Sequence, residues 1–172
     1  LEHKVGLHGS PTAVMEYDQA TGWLIGKEHQ GMKAMFTMMN NARLGVGAEG
    51  LGTAEAAFQK ALTFAKGRKQ GKTLTNDTGT IIDHADVRRM LMIMKSKTYA
   101  SRAICLATAV AIDMSNASKE EFWINRAALL TPIAKSFGTE TGIEVSNLGI
   151  QIHGGMGFVE ETGAAQYWRD VR

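Results

Sequence analysis

Several things are scarce in these 172 residues, and each scarcity excludes something. There is one cysteine, Cys105, so neither an intrachain disulfide nor a cysteine-built metal centre can form. It sits among Ile104, Leu106 and Ala107. That apolar setting suits a buried thiol, and no electropositive neighbourhood is there to make it a nucleophile. No apolar run reaches 18 residues, so no membrane-spanning helix is expected. A surplus of charge is missing too. The net charge is +2, with Lys and Arg dispersed, which gives no pointer to nucleic acid. What is plentiful is apolar: 44% of the residues are hydrophobic, ample for the core of one domain.

One stretch invites a functional reading at once. Gly45-Val-Gly-Ala-Glu-Gly50 spells G-x-G-x-x-G, the dinucleotide-binding fingerprint. That fingerprint works only after a buried strand and at the start of a helix. Upstream, however, Met32, Met35, Phe36 and Met39 recur at helical spacing, and Leu51, Ala54, Phe58, Ala61 or Leu62, and Ala65 continue it downstream. Positions 65 to 75 offer no acid for a ribose hydroxyl. The glycines therefore belong inside one long helix. Four of them (Gly45, Gly47, Gly50, Gly52) cost that helix about 4 kcal/mol relative to alanine. Such a load predicts close approach, either by another helix or by a ligand.

Around that helix, the pattern divides the chain at about residue 30. In residues 1–30, Ala13 to Tyr17 and Trp23 to Ile25 read as two short strands, the tail of an upstream β-domain. Residues 31–172 read as all-α, an antiparallel four-helix bundle. Its first helix spans about 31–67 and is followed by a polar loop over 67–80. A second helix begins near Asp83 as N-cap, with Asp86 in its first turn and a stripe of Val87, Met90, Leu91, Met94, Ser101, Ile104, Cys105, Thr108 and Ile112. A third spans about 120–151. There Pro132 either kinks the helix or opens a separate segment capped by Thr131. Gly154 to Gly157 breaks the pattern, and a last helix begins near Glu161. The ten methionines read as adaptable core filler. The start at Leu1 and the stop within Tyr167-Trp-Arg-Asp-Val-Arg172 suggest a fragment of a longer protein.

The C-terminal run Gln151-Ile-His-Gly-Gly-Met-Gly-Phe158, followed by Arg169-Asp-Val-Arg172, resembles the C-terminal domain of acyl-CoA dehydrogenases, which carry Q-x-x-G-G-x-G-[FY] and then R-D-x-[RK]. Three further stretches agree. Arg43 and Arg68 stand 25 residues apart at the two ends of a small-residue helix, the family spacing. The opening HKVGLHGSPT is similar to the family's last β-domain segment, and Ile82-Asp-His-Ala-Asp-Val-Arg88 to the start of its next helix.

This resemblance implies a chemistry and a set of roles. The family uses FAD to oxidise acyl-CoA thioesters to trans-2-enoyl-CoA, with a carboxylate taking the α-proton. Across a subunit interface Arg68 and Gln70 would contact the cofactor, and Gln151, Ile152, His153, Gly154 and Gly155 would lie against the same neighbouring FAD. Asn40 and Arg43 would lie near substrate. Electron-transfer flavoprotein would accept the electrons, and the oligomer would be a homodimer or homotetramer, cytoplasmic or in the mitochondrial matrix. Two departures stand out. The segment after Arg68 is one residue shorter than the family's R-x-T-F-G, so Gln70 stands where a hydroxyl is usual. Ala85 replaces a common glutamine after His84. The base has no candidate here: Ala42 precedes Arg43, and the usual glutamate would lie beyond Arg172. Neither His84 nor His153 has a second metal ligand at helical spacing. An acyl-CoA oxidase and a non-catalytic helical oligomerisation module are the alternatives.

Overall fold

The computed structural model describes residues 1–73 and 79–172, so residues 74–78 of the expected polar loop lie outside the described residues. Among the described residues three long α-helices and one short one make the architecture: α1 (Gly31–Gly67), α2 (Ala85–Ser118), α3 (Glu121–His153) and α4 (Ala164–Val171). α1 has 37 residues, about 55 Å at 1.5 Å per residue. Two residues join α2 to α3, and Lys119, at φ 60°, turns the chain back. The bundle is therefore up-down-up. α2 runs antiparallel to its neighbours, with Arg102 paired to Glu55 on α1 and Lys97 to Glu144 on α3. α1 and α3 run parallel.

The glycines explain how two parallel helices come so close. A Cβ on Gly47 would stand 2.7 Å from the Ala134 carbonyl oxygen, and one on Gly50 would collide with the backbone of Gly138. Gly138 and Gly142 face Gly47 and Gly50 in the same way. The choice left open by the fingerprint glycines resolves at these two positions as helix on helix. Gly45 and Gly52 face open space. Below this contact the core closes over Ala54, Phe58 and Ala61 of α1, Met90, Leu91 and Met94 of α2, and Val145 and Ile152 of α3. The stripe expected on α2 is largely the buried one, with Thr98 and Ala111 added.

Several expectations need correction. No strand forms in residues 1–30, so the β-hairpin is absent. Two short strands without a third partner are marginal in water, and Val14, Trp23 and Ile25 lie almost fully exposed. This segment is tied instead to α4. Gly6 packs against the backbone of Arg169 and Asp170, and the Leu7 N–H donates to Asp170 Oδ1 at 2.8 Å. Asp83 does not cap α2. A 3₁₀ turn, Ile81–Asp83, intervenes, and His84 is the N-cap residue. α3 continues unbroken through Pro132, and Thr131 bonds back to the Ala127 carbonyl (2.7 Å) instead of capping a new segment. Two 3₁₀ turns delay the last helix to Ala164, after Gly163 at φ 67°. Of the methionines only Met90 and Met94 are buried, while Met32, Met35, Met38 and Met39 are exposed.

Candidate functional site

The ends of α1 and α3 meet at one end of the bundle. α1 stops at Arg68, whose extended backbone (φ −75°, ψ 117°) leaves the helix, while its N–H still donates to the Phe64 carbonyl (2.9 Å). The outgoing chain is clamped to the chain entering α2. Gln70 N–H donates to Gly79 O at 2.9 Å and Ile81 N–H to Arg68 O at 2.8 Å, around an antiparallel bridge between Lys69 and Thr80. Across from it α3 ends at Gly154, whose φ of 57° and ψ of −138° suit glycine alone.

Between these ends lies a cleft of about 560 Å³, and Arg68, Gln70, Ile152, His153, Gly154 and Gly155 all line it. The two segments that the resemblance pairs, some 84 positions apart, are thus brought together. Arg68 is exposed, and among the described residues its guanidinium has one side-chain partner, Gln70 Oε1, at a long 3.5 Å. Most of its five N–H donors are therefore free for an oxyanion, in a fork that suits a diphosphate. Where a Cβ on Gly154 or Gly155 would stand there is open space, so a ligand can reach that backbone.

His153 is buried, its ring stacked on Phe64 with centroids 4.3 Å apart. Its Nδ1 lies 2.7 Å from the Gly149 carbonyl oxygen. A carbonyl only accepts, so Nδ1 carries the hydrogen and Nε2 is left for other work. His84 shapes the opposite wall. Its Nε2 donates to the Gln70 carbonyl at 2.8 Å, and its ring lies 3.2 Å from where a Cβ on Gly71 (φ 74°) would stand. Both histidines are hydrogen-bonded as expected, but both also wall the cleft, as do Phe64 and Gly71. Sequence reading assigned no role to Phe64 or Gly71. The available signal was the helical register that places Phe64 four residues before Arg68.

Other expected residues stand elsewhere. Gln151 is exposed and does not line the cleft; its carbonyl accepts from the Gly154 N–H. Asn40 is exposed and Arg43 half-buried, both on the far part of α1. At 25 residues from Arg68, Arg43 is about 37 Å away along the helix, so the two arginines serve different places. Away from the cleft, burial pushes the Cys105 thiol above its ordinary value, with the Ser101 hydroxyl acting the other way. Among the described residues no three His, Cys, Asp or Glu side chains are grouped to hold a metal ion. No helix there is long and apolar enough to cross a membrane.

The sequence profile described as "Acyl-CoA dehydrogenase, C-terminal domain" matches residues 29–172. The chain belongs to the acyl-CoA dehydrogenase family. Its relatives include the 3-methylmercaptopropionyl-CoA dehydrogenase of Ruegeria pomeroyi, 48% identical over all of this chain and 30% of the relative, and a butyryl-CoA dehydrogenase of Syntrophomonas wolfei, 37% identical over all of this chain and 31% of the relative. The butyryl-CoA dehydrogenase of Megasphaera elsdenii has the same fold in its solved structure. It superposes with a TM-score of 0.68 at 27% identity, over 85% of this chain and 34% of that one. The acyl-CoA dehydrogenase domain described here thus spans under a third of the length of these curated relatives.

Proposed function

We propose that this chain is the flavin-gripping C-terminal bundle of an FAD-dependent acyl-CoA dehydrogenase that forms trans-2-enoyl-CoA from acyl-CoA thioesters. One observation carries the reading: Arg68, Gln70 and residues 152–155 converge on a single cleft. The donor set fits a dinucleotide's diphosphate. A guanidinium with free N–H groups faces a backbone that no side chain screens. When bound, FAD supplies a hydride acceptor for the substrate's β-carbon. The residues of this chain position and neutralise the diphosphate. Gln70 bears on the Arg68 guanidinium, and the stacked rings of Phe64 and His153 support the cleft wall.

On this reading residues 1–30 close an upstream β-domain and residues 31–172 form the bundle. Asn40 and Arg43, remote from the cleft, serve the substrate end. The carboxylate that takes the α-proton comes from outside these 172 residues, and electron-transfer flavoprotein is the acceptor. Met92, Tyr99, Leu106 and Val110, exposed along α2, favour assembly into a homodimer or homotetramer, which would complete the flavin site across subunits. The test is reconstitution with FAD. A yellow, stoichiometric complex is expected, and a protein that refuses flavin at millimolar concentration overturns the reading. Peroxide release under air without an added acceptor would assign oxidase activity instead.

A further inference from the structure

We propose that a second cleft, adjoining the first, is an anion site that takes the phosphoryl group of an organic phosphate, with Lys60 as its centre. The cleft measures about 640 Å³ and shares Phe64 and His153 with the first; Ala56, Gln59, Lys60, Thr63, Thr162 and Tyr167 line the remainder. Among the described residues no acidic side chain lines it. Lys60 is half-buried and has no ion pair among the described residues. Its ammonium rests against Gly163, where a Cβ would come within 3.3 Å of Nζ. Two acids on the flanking elements are engaged elsewhere, while Glu161, next to Thr162, points to no partner among the described residues. Glu55 is held by Arg102 at 2.7 Å and by Gln59 at 2.7 Å, and Glu160 by Arg169 at 3.1 Å. A compact cation left unneutralised in a recess is a point-charge phosphate binder.

The other donors can be counted. Thr63 and Thr162 spend their hydroxyl hydrogens on the carbonyls of Gln59 (2.9 Å) and of Met156 and Val159 (2.8 Å each), so they offer only lone pairs. Tyr167 keeps its O–H free among the described residues. His153 has committed Nδ1–H to Gly149, and Gln59 spends one Nε2–H on Glu55, which leaves the other to donate. Lys60, Tyr167 and the second Nε2–H of Gln59 thus provide donors for a phosphoryl group's three oxygens, and the Phe64 ring offers an apolar wall to its organic part. The inference stands independently of the flavin reading. The phosphoryl group can belong to the dinucleotide proposed for the first cleft or to a separate organic phosphate.

The test titrates inorganic phosphate into the protein at low ionic strength and follows the His153 Hε1 resonance. A saturable shift is expected. Lys60→Gln should weaken the apparent affinity tenfold or more, while Lys60→Arg, which keeps the charge, and Arg68→Gln should each stay within threefold of the wild type. Three results overturn the proposal: no saturable shift, an affinity unmoved by Lys60→Gln, or loss of the response in Arg68→Gln, which would put the phosphate in the first cleft. Preloading with FAD separates the sources, and either answer supports the site. Competition means that the dinucleotide fills both clefts; simultaneous binding means a second molecule. If FAD does not bind at all while phosphate still responds through Lys60, the flavin reading fails and this one holds.

Discussion

Two stretches of α1 carry the same periodicity and meet different fates. Met32, Met35, Phe36 and Met39 recur at the same helical spacing as Ala54, Phe58, Ala61 and Ala65, yet the first set is exposed and the second buried. Periodicity identifies a helix and one of its faces; it does not say what covers that face. Residue size says more. The buried stretch is preceded by Gly47 and Gly50 and is rich in alanine, because α3 runs alongside at backbone distance. The exposed stretch has long, flexible side chains, which suit a less closely fitted partner.

The comparison breaks most visibly at its two phenylalanines. Phe58→Ala empties a core position and should destabilise the fold by about 3–5 kcal/mol, whereas Phe36→Ala on the same helix should stay within about 0.5 kcal/mol in the isolated chain. Denaturant unfolding monitored by circular dichroism measures both, and equal losses would mean that the first stretch is covered after all. The glycines sharpen the contrast. Gly50→Ala must push a methyl group into the Gly138 backbone and should cost about 1–3 kcal/mol. Gly45→Ala, two residues before the crowded Gly47, meets open space and should stabilise by about 1 kcal/mol in the same unfolding assay.

The smallest effect concerns the tie between residues 1–30 and α4. Burial alone would raise the Asp170 carboxyl, but bonds from Leu7 N–H and Gln166, with the charges of His8 and Arg169, hold it below its ordinary 3.8. A carboxyl more acidic when folded contributes fully above pH 4 and progressively less as pH falls through its folded value. The Leu7 amide should therefore exchange faster with solvent below pH 4 in the wild type. Asp170→Asn should remove that pH dependence, at a change in stability below about 1 kcal/mol.

What could be read in advance follows the same division. The three long helices, the α2 stripe and the buried Cys105 were legible, because each repeats a local rule over many residues. The strands at 13–17 and 23–25 were misread, because alternation over three to five residues is satisfied equally by exposed coil. The start of α4 was misplaced because Glu160–Thr162 forms a 3₁₀ turn, whose acidic residues look like a helix N-terminus. Arg68 and the Gly154 backbone were singled out by their motifs, and both line the cleft. Phe64 and His84 were not assigned to the wall, since stacking on His153 and clamping the Gln70 carbonyl depend on contacts distant in sequence.

The most direct test of the account is FAD affinity, measured by quenching of flavin fluorescence, in Arg68→Gln against the wild type. If the Arg68 guanidinium and the Gly154 backbone together grip the diphosphate, the dissociation constant rises at least tenfold, about 1.4 kcal/mol, while the thermal unfolding midpoint of the free protein stays put. Unchanged FAD affinity in the folded variant would contradict it.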